Sequence, residues 1–266
     1  MAITTVDLAL AGMKPPSAFT KAVSGTLVAG RPFTPLYTTG YPGAATAYAG
    51  GLNGTVLTSL AGQIPIPAAS GNTHLARFSG ISSAQGGLLM LCDRLWHNSF
   101  TVTTTGAQSI TSPTWPARDM NGNTTGEGVQ IALEISATVG TGTATPTISY
   151  TNTGSTSGRT GSMVVTYAAS AITGTFHPFS LAAGDTGVKS VESVTLGVSM
   201  SSGSAGLVAY RVLATLELAG AGLSNAVDAL TSGMPRCYDT TVPFLVYIPT
   251  TTTTTQLHGQ VIFTQG

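Results

Sequence analysis

Gly126-Glu-Gly-Val-Gln-Ile-Ala-Leu-Glu-Ile-Ser136 decides the fold class, because a side-chain period of two is easiest to read here. Val129, Ile131, Leu133 and Ile135 fall on one side of an extended strand, and Gln130, Ala132, Glu134 and Ser136 fall on the other. A half-buried strand requires that split, whereas a helix would scatter both sets. Downstream, Thr147-Ile-Ser-Tyr-Thr151 and Ser162-Met-Val-Val-Thr-Tyr167 flank Asn152-Thr-Gly-Ser-Thr-Ser-Gly-Arg-Thr-Gly161. Such Gly/Ser/Asn-rich loops reverse antiparallel strands.

Outward from this unit, further strands read at 73–79, 87–92, 100–104, 194–200 and 207–218. Gly87-Leu-Leu-Met-Leu-Cys92 is apolar on both faces, as a central strand is; periodicity alone leaves a buried helix open, and Gly86-Gly87 favours the strand. Phe244-Leu-Val-Tyr-Ile248 and His258-Gly-Gln-Val-Ile-Phe-Thr264 read as a closing hairpin around the six threonines 250–255. Two short helices interrupt the strand pattern. Thr4 or Thr5 caps Val6-Asp-Leu-Ala-Leu-Ala11, which Gly12 and the prolines end; Ser224 caps Asn225-Ala-Val-Asp-Ala-Leu230, which Gly233 and Pro235 stop. Residues 31–67, dense in Pro, Gly and Tyr, read as ordered irregular loops. The expected fold is all-β, an antiparallel β-sandwich or jelly-roll-like structure with long loops, a short N-terminal helical arm within 1–31 and one short helix near 224–231. Residues 32–266 form its β-rich domain, as one lobe or two.

Only 8% of the residues are charged, and the acidic and basic counts cancel; ordinary globular proteins carry about 25%. No charged side chain occurs in 32–76 or in 240–266. A surface so poor in charge favours self-association. Without clustered Lys and Arg a nucleic-acid partner is not expected. No window approaches the roughly 18 consecutive apolar residues of a spanning helix, so no membrane partner is expected either. Lys14-Pro15-Pro16 interrupts the only candidate leader, and synthesis in the cytoplasm is the expectation. Cys92 and Cys237 are too few for a disulfide framework and read as buried thiols.

Candidate chemistry is sparse. Cys92-Asp-Arg-Leu-Trp-His97 offers a thiol, a carboxylate and an imidazole, but in a strand Asp93 and His97 share a face and Cys92 lies on the other. An ion pair of Asp93 or Arg94 under Trp96 is the expected use of these residues. Asp119-Met-Asn121-Gly-Asn123 starts with the spacing that hard cations favour, then departs from it, with Thr124 where Gly and Gln130 where Glu should stand. A turn whose side chains bond their own backbone is the alternative. Gly154–Gly161 lacks the lysine and following helix of a phosphate loop. His74, His97, His177 and His258 stand far apart, without partners at metal spacing. Asn53-Gly-Thr55 and Asn123-Thr-Thr125 match the glycosylation pattern, which means nothing without export. No catalytic, cofactor-binding or metal-binding residue is assigned, and no enzyme activity is expected. Tyr37, Tyr41 and Tyr48 keep a receptor- or glycan-binding module in view as an alternative.

With Arg118-Asp-Met-Asn-Gly-Asn-Thr-Thr-Gly-Glu-Gly128, Ser149-Tyr-Thr-Asn152, Gly158-Arg-Thr-Gly161, Ala183-Gly-Asp-Thr-Gly-Val188 and Ala229-Leu-Thr-Ser-Gly233 in view, the chain resembles tailed-bacteriophage virion structural proteins over most of its length. The resemblance implies a virion location and a capsid-associated role, with a head decoration or cement subunit first and a major capsid, tail or neck protein next. It also implies a homo-oligomer, taken as a trimer, whose partners are itself and the major capsid protein or other virion proteins.

Overall fold

A computed structural model describes residues 3–68 and 70–266. The protein is mostly β, with 43% of residues in strands and 5% in helices, arranged as curled antiparallel sheets in a sandwich-like fold. The elements are α1 (Val6–Ala11), β1 (Ser17–Val23), a 3-10 turn (Pro35–Tyr37), β2 (Gly40–Tyr41), β3 (Thr55–Val56), β4 (Thr73–Ser82), β5 (Gly87–His97), β6 (Ala107–Ser109), β7 (Gln130–Ala137), β8 (Thr147–Asn152), β9 (Arg159–Met163), β10 (Phe176–Ser180), β11 (Val188–Thr195), β12 (Ser204–Leu218), β13 (Asn225–Asp228), α2 (Ala229–Ser232), β14 (Arg236–Cys237), β15 (Pro243–Pro249) and β16 (Thr255–Gln265).

The chain forms two compact units. The first holds residues up to Ala45, Ser59–Asp93 and Val212–Gly266; the second holds Thr46–Thr58 and Arg94–Arg211. In the first unit one sheet runs β13-β4-β16-β1-β2, with β14 also on β4. Its inner face meets residues of β5 and β12, since a Cβ on Gly80 would lie 3.2 Å from Leu89 and 3.3 Å from Leu216. Phe19, Phe78, Leu75, Val261 and Phe263 fill that layer and are all buried. In the second unit the order β7-β10-β9-β8-β11-β6 continues from residues 204–210 of β12. The sheet curls around a core built on Trp96, Trp115, Val129, Ile131, Leu133, Ile135, Tyr150 and Tyr167.

The side-chain alternation at 129–135 therefore does mark a strand, but the outward face expected for it is wrong. Ala132 and Glu134 are buried, because β7 is an interior strand paired with β12 on one side and β10 on the other. The run from Gly87 is a strand and continues to His97. Thr147–Thr151 and the start of Ser162–Tyr167 do pair as β8 and β9, yet Val164 and Val165 beyond β9 are exposed.

Several expected elements differ. The closing hairpin does not exist: β15 pairs with β5, and β16 pairs with β4 and β1. Phe244–Tyr247 is buried at every position and lies beside the largely buried β5, whereas β16 is half-exposed along its middle. The threonines 250–254 link the two, anchored where Thr250 Oγ1 donates to Gly86 O and Thr251 N to Gln85 Oε1. Residues 100–104 form a turn with one bridge, Phe100 to Ala205, because Gln108 bonds both main-chain groups of Thr101 in place of a strand partner. The strand expected at 194–200 ends at Thr195. The second helix is Ala229–Ser232 alone, capped by Asp228 and not by Ser224, since Asn225–Asp228 pairs with β4 first. Within the expected N-terminal arm, Ser17–Val23 is β1, lying between β16 and β2.

Candidate assembly surface

The clusters singled out in the sequence are all used to hold the fold. Arg94 makes an ion pair with Glu134, two bonds of 2.7 and 2.5 Å between buried side chains. Asp93 accepts from Val242 N at 2.9 Å. Trp96 donates to Asn53 O at 3.0 Å and packs against Trp115, with ring centroids 5.3 Å apart. Burial and the neighbouring Asp93 push the Cys92 thiol up, and burial with the Arg94 charge pushes the His97 imidazole down to about 3. A nucleophile pair needs the reverse of both shifts. Cys92 and Cys237 are buried thiols that form no disulfide.

Asp119 sits at the centre of a closed turn. One carboxylate oxygen accepts from Asn121 N and Asn123 N at 3.0 and 2.7 Å; the other accepts from Thr125 Oγ1, Gly126 N and Glu127 N at 2.7, 3.0 and 3.2 Å. Five donors occupy the acceptor sites that a cation would need. Burial opposes ionisation, but the bonds from Asn123, Thr125, Asn121 and Glu127 outweigh it and hold the carboxyl below its ordinary range. Among the described residues no group of three or more His, Cys, Asp and Glu side chains could hold a metal ion.

The β8–β9 loop is held in the same manner. Asp185 accepts from Tyr150, Asn152 and Arg159 at 2.6, 2.7 and 2.8 Å, and the Arg159 bond leads those that bring its carboxyl down to about 2. Glu192 accepts from Ser149, Thr151 and the Gly158 amide, so this glycine-rich loop offers its amide to a carboxylate of the same unit. Of the three tyrosines, Tyr48 stacks on His97 at 4.1 Å in the second unit, while Tyr37 and the exposed Tyr41 belong to the first. His258 Nδ1 lies 3.2 Å from Thr20 Oγ1, His74 lies on β4 and His177 on β10.

The first unit also leaves an apolar surface open. Thr5 caps α1 by accepting from Leu8 N at 3.2 Å, and the helix buries none of its residues. Its exit is fixed to β16, where Thr264 Oγ1 donates to Ala9 O at 2.5 Å and Gln265 N to Gly12 O at 3.0 Å. Gly12 is needed there, because a Cβ would fall 1.9 Å from Gln265 O. Asp228 caps α2 through the amides of Leu230 and Thr231, and Gly233 ends it in the left-handed region at φ 69°. Between these helices lies a groove of about 530 Å³, lined among others by Val6, Leu10, Met13, Arg77, Leu230 and Met234. Val6, Leu10 and Leu230 are 71%, 63% and 91% exposed. The sequence marks α1 as an arm, to pack on a neighbour or to lid its own core, and reads Asn225–Leu230 as one helix; Leu230 in fact belongs to the short α2 and stands outward.

No known protein-family model matches the chain, and no curated protein matches it. Among solved structures, one similar chain is the infectious bursal disease virus VP2 subviral particle, at 12% identity, with 96% of this chain and 81% of that chain covered and a TM-score of 0.19. A mutant VP2 of the same virus in derived T=1 particles gives 11% identity, 99% and 80% coverage and again 0.19. A TM-score so low carries no argument about fold or role.

Proposed function

We propose that the protein is a structural component of a virus particle, and more narrowly a decoration or cement subunit on the head of a tailed bacteriophage that binds the capsid and its own copies through protein–protein contacts. The observation that supports it most is the contrast on the surface: the polar clusters are closed on themselves, while Val6, Leu10 and Leu230 stand exposed around an apolar groove. The resemblance of the loop phrases to phage virion proteins points the same way, as does the 8% charge content. The role is structural and not catalytic in this reading. Electron microscopy of purified phage particles decorated with an antibody to this chain tests it. Label spread over the head is expected. Label confined to the tail or neck would overturn the decoration role, and unlabelled particles would overturn the virion role.

A further inference from the structure

We propose that Asn121 is a site of spontaneous deamidation, a covalent change through which the Asp119 turn loosens with age, whatever particle the chain belongs to. The chain has two Asn-Gly pairs, Asn53-Gly54 and Asn121-Gly122, and both lie in the second unit. Asn before Gly is the pair most prone to this reaction, because glycine has no Cβ to hold its nitrogen away from the neighbouring side-chain carbonyl carbon. The main chain does not separate the two sites. Gly54 N donates to Gly51 O at 3.2 Å and Gly122 N to Asp119 O at 3.0 Å, and both glycines have positive φ, 66° and 78°. Both asparagines are exposed. Their side chains differ. Asn53 Oδ1 accepts from Thr111 N at 2.9 Å, Asn53 O accepts from Trp96 Nε1 at 3.0 Å, and Gly54 is packed so closely that a Cβ would fall 2.2 Å from His97 O. Among the described residues the Asn121 side-chain amide makes no hydrogen bond, so nothing holds it back from turning onto Gly122 N.

In the reaction Gly122 N gives its proton to solvent and attacks Asn121 Cγ. The new N–C bond closes a cyclic imide, and the bond from Cγ to the side-chain nitrogen breaks, releasing ammonia. Water then opens the imide at either carbonyl. One opening leaves Asp at 121; the other leaves isoaspartate, whose main chain runs through Cβ and Cγ and is longer by one carbon. Amide and water become carboxylate and ammonium, and no oxidant is needed. The position makes the change disruptive. Asn121 N and Asn123 N both donate to Asp119 Oδ1, at 3.0 and 2.7 Å, so the rerouted link lies between two amides that converge on one oxygen. Lengthening it moves them apart, and the imide removes the Gly122 N–H that bonds Asp119 O. Either opening also sets a second carboxylate beside the first, a like charge that disfavours ionised Asp119.

Incubating the full chain at mildly alkaline pH, folded and in urea, tests this by digestion and tandem mass spectrometry, with enzymatic methylation of isoaspartate as the second readout. In the folded chain Asn121 is expected to convert at least about fivefold faster than Asn53, the factor that one net hydrogen bond supplies. In urea the two rates should converge, and mildly acidic pH should slow both. Asn121→Gln, a change on an exposed side chain, should remove most of the isoaspartate formed by the folded chain. Aged wild type should then unfold at lower urea than fresh protein, while aged N121Q should not. The comparison of folded and unfolded wild type stands without the variant, should N121Q fail to fold. Asn53 converting as fast as Asn121 in the folded chain overturns the proposal, as does an Asn121 that converts in urea and stays an amide when folded. Conversion at Asn121 with an unchanged urea midpoint overturns the loosening of the turn.

Discussion

The two units hold ten charged side chains each, and they use them differently. The second unit turns them inward: Arg94 on Glu134, Arg159 on Asp185, and Asp119 and Glu192 on loop amides and hydroxyls. The first unit ties Lys21 to the carbonyls of Thr38 and Gly43 and Asp93 to Val242 N, while Arg77 lines the same groove as the exposed Leu230. Charge scarcity is therefore a property of the whole chain, while its consequence is local. In one unit the few ions fix turns. In the other, two of them, Arg77 and Asp228, line an apolar groove.

The second unit depends most on its charges at Glu134. Replacing it with alanine leaves Arg94 buried without its ion pair, which costs about 3–5 kcal/mol. Trp96 and Trp115 both lie in the second unit's core, so tryptophan fluorescence during urea unfolding reads this loss directly. An unchanged midpoint would mean that the pair does not hold the unit together. Acid attacks the same region next. His97 has a folded pKa near 3, below the ordinary 6.5, so as pH falls under 6.5 the unfolded chain takes up the proton first and stability declines until about pH 3. Between pH 6.5 and 4 the loss is on the order of 3 kcal/mol. Asp185 adds to it only below its ordinary 3.8, where its contribution fades toward pH 2. A His97→Gln variant should flatten the decline from pH 6.5 to 4 while leaving the Asp185 part in place. An equally steep decline in that variant removes His97 as the cause.

Asp119→Ala should cost about 2–3 kcal/mol, because five donors lose an ionised acceptor at once and four of them are main-chain amides. Asp119→Asn, which keeps one acceptor oxygen, should recover part of it in the same urea experiment. Added calcium should leave the wild-type midpoint unmoved, since the carboxylate is already saturated; a rise in stability with calcium would show the turn to be a cation site.

Much of this was legible in the sequence. Alternation located β7, the Gly/Ser/Asn loop located the β8–β9 turn, and Thr5 with Gly12 bounded α1. What the sequence could not carry was partner choice. Phe244–Ile248 and His258–Thr264 are both good strands, and nothing local says that one joins β5 while the other joins β4 and β1. The burial of Glu134 was hidden for the same reason, since its ion partner is 40 residues away. The Asp119 turn was visible as an alternative because all its donors lie within eight residues. The groove was half legible: α1 reads as an arm, but Asn225–Leu230 reads as one helix where the structure has β13 at Asn225–Asp228 and only then α2.

The smallest expected effect sharpens the contrast between the units. Cys237 is fully buried in the first unit, where its Sγ lies 3.8 Å from Pro235 O, so a thiol reagent reaches it only when that unit opens. Tryptophan fluorescence reports the second unit alone. If the inward ion pairs stabilise the second unit and the first holds by its own apolar layers, Glu134→Ala should lower the fluorescence midpoint while changing the native labelling rate of Cys237 by less than about twofold. Cys92→Ala, measured with Cys237 as the remaining thiol, should cost only about 1 kcal/mol, because it removes one small buried atom from the first unit. A Glu134→Ala protein whose Cys237 labels as fast as its fluorescence predicts would show that the two units open as one. The difference in how they use charge would then govern the surface and not the stability.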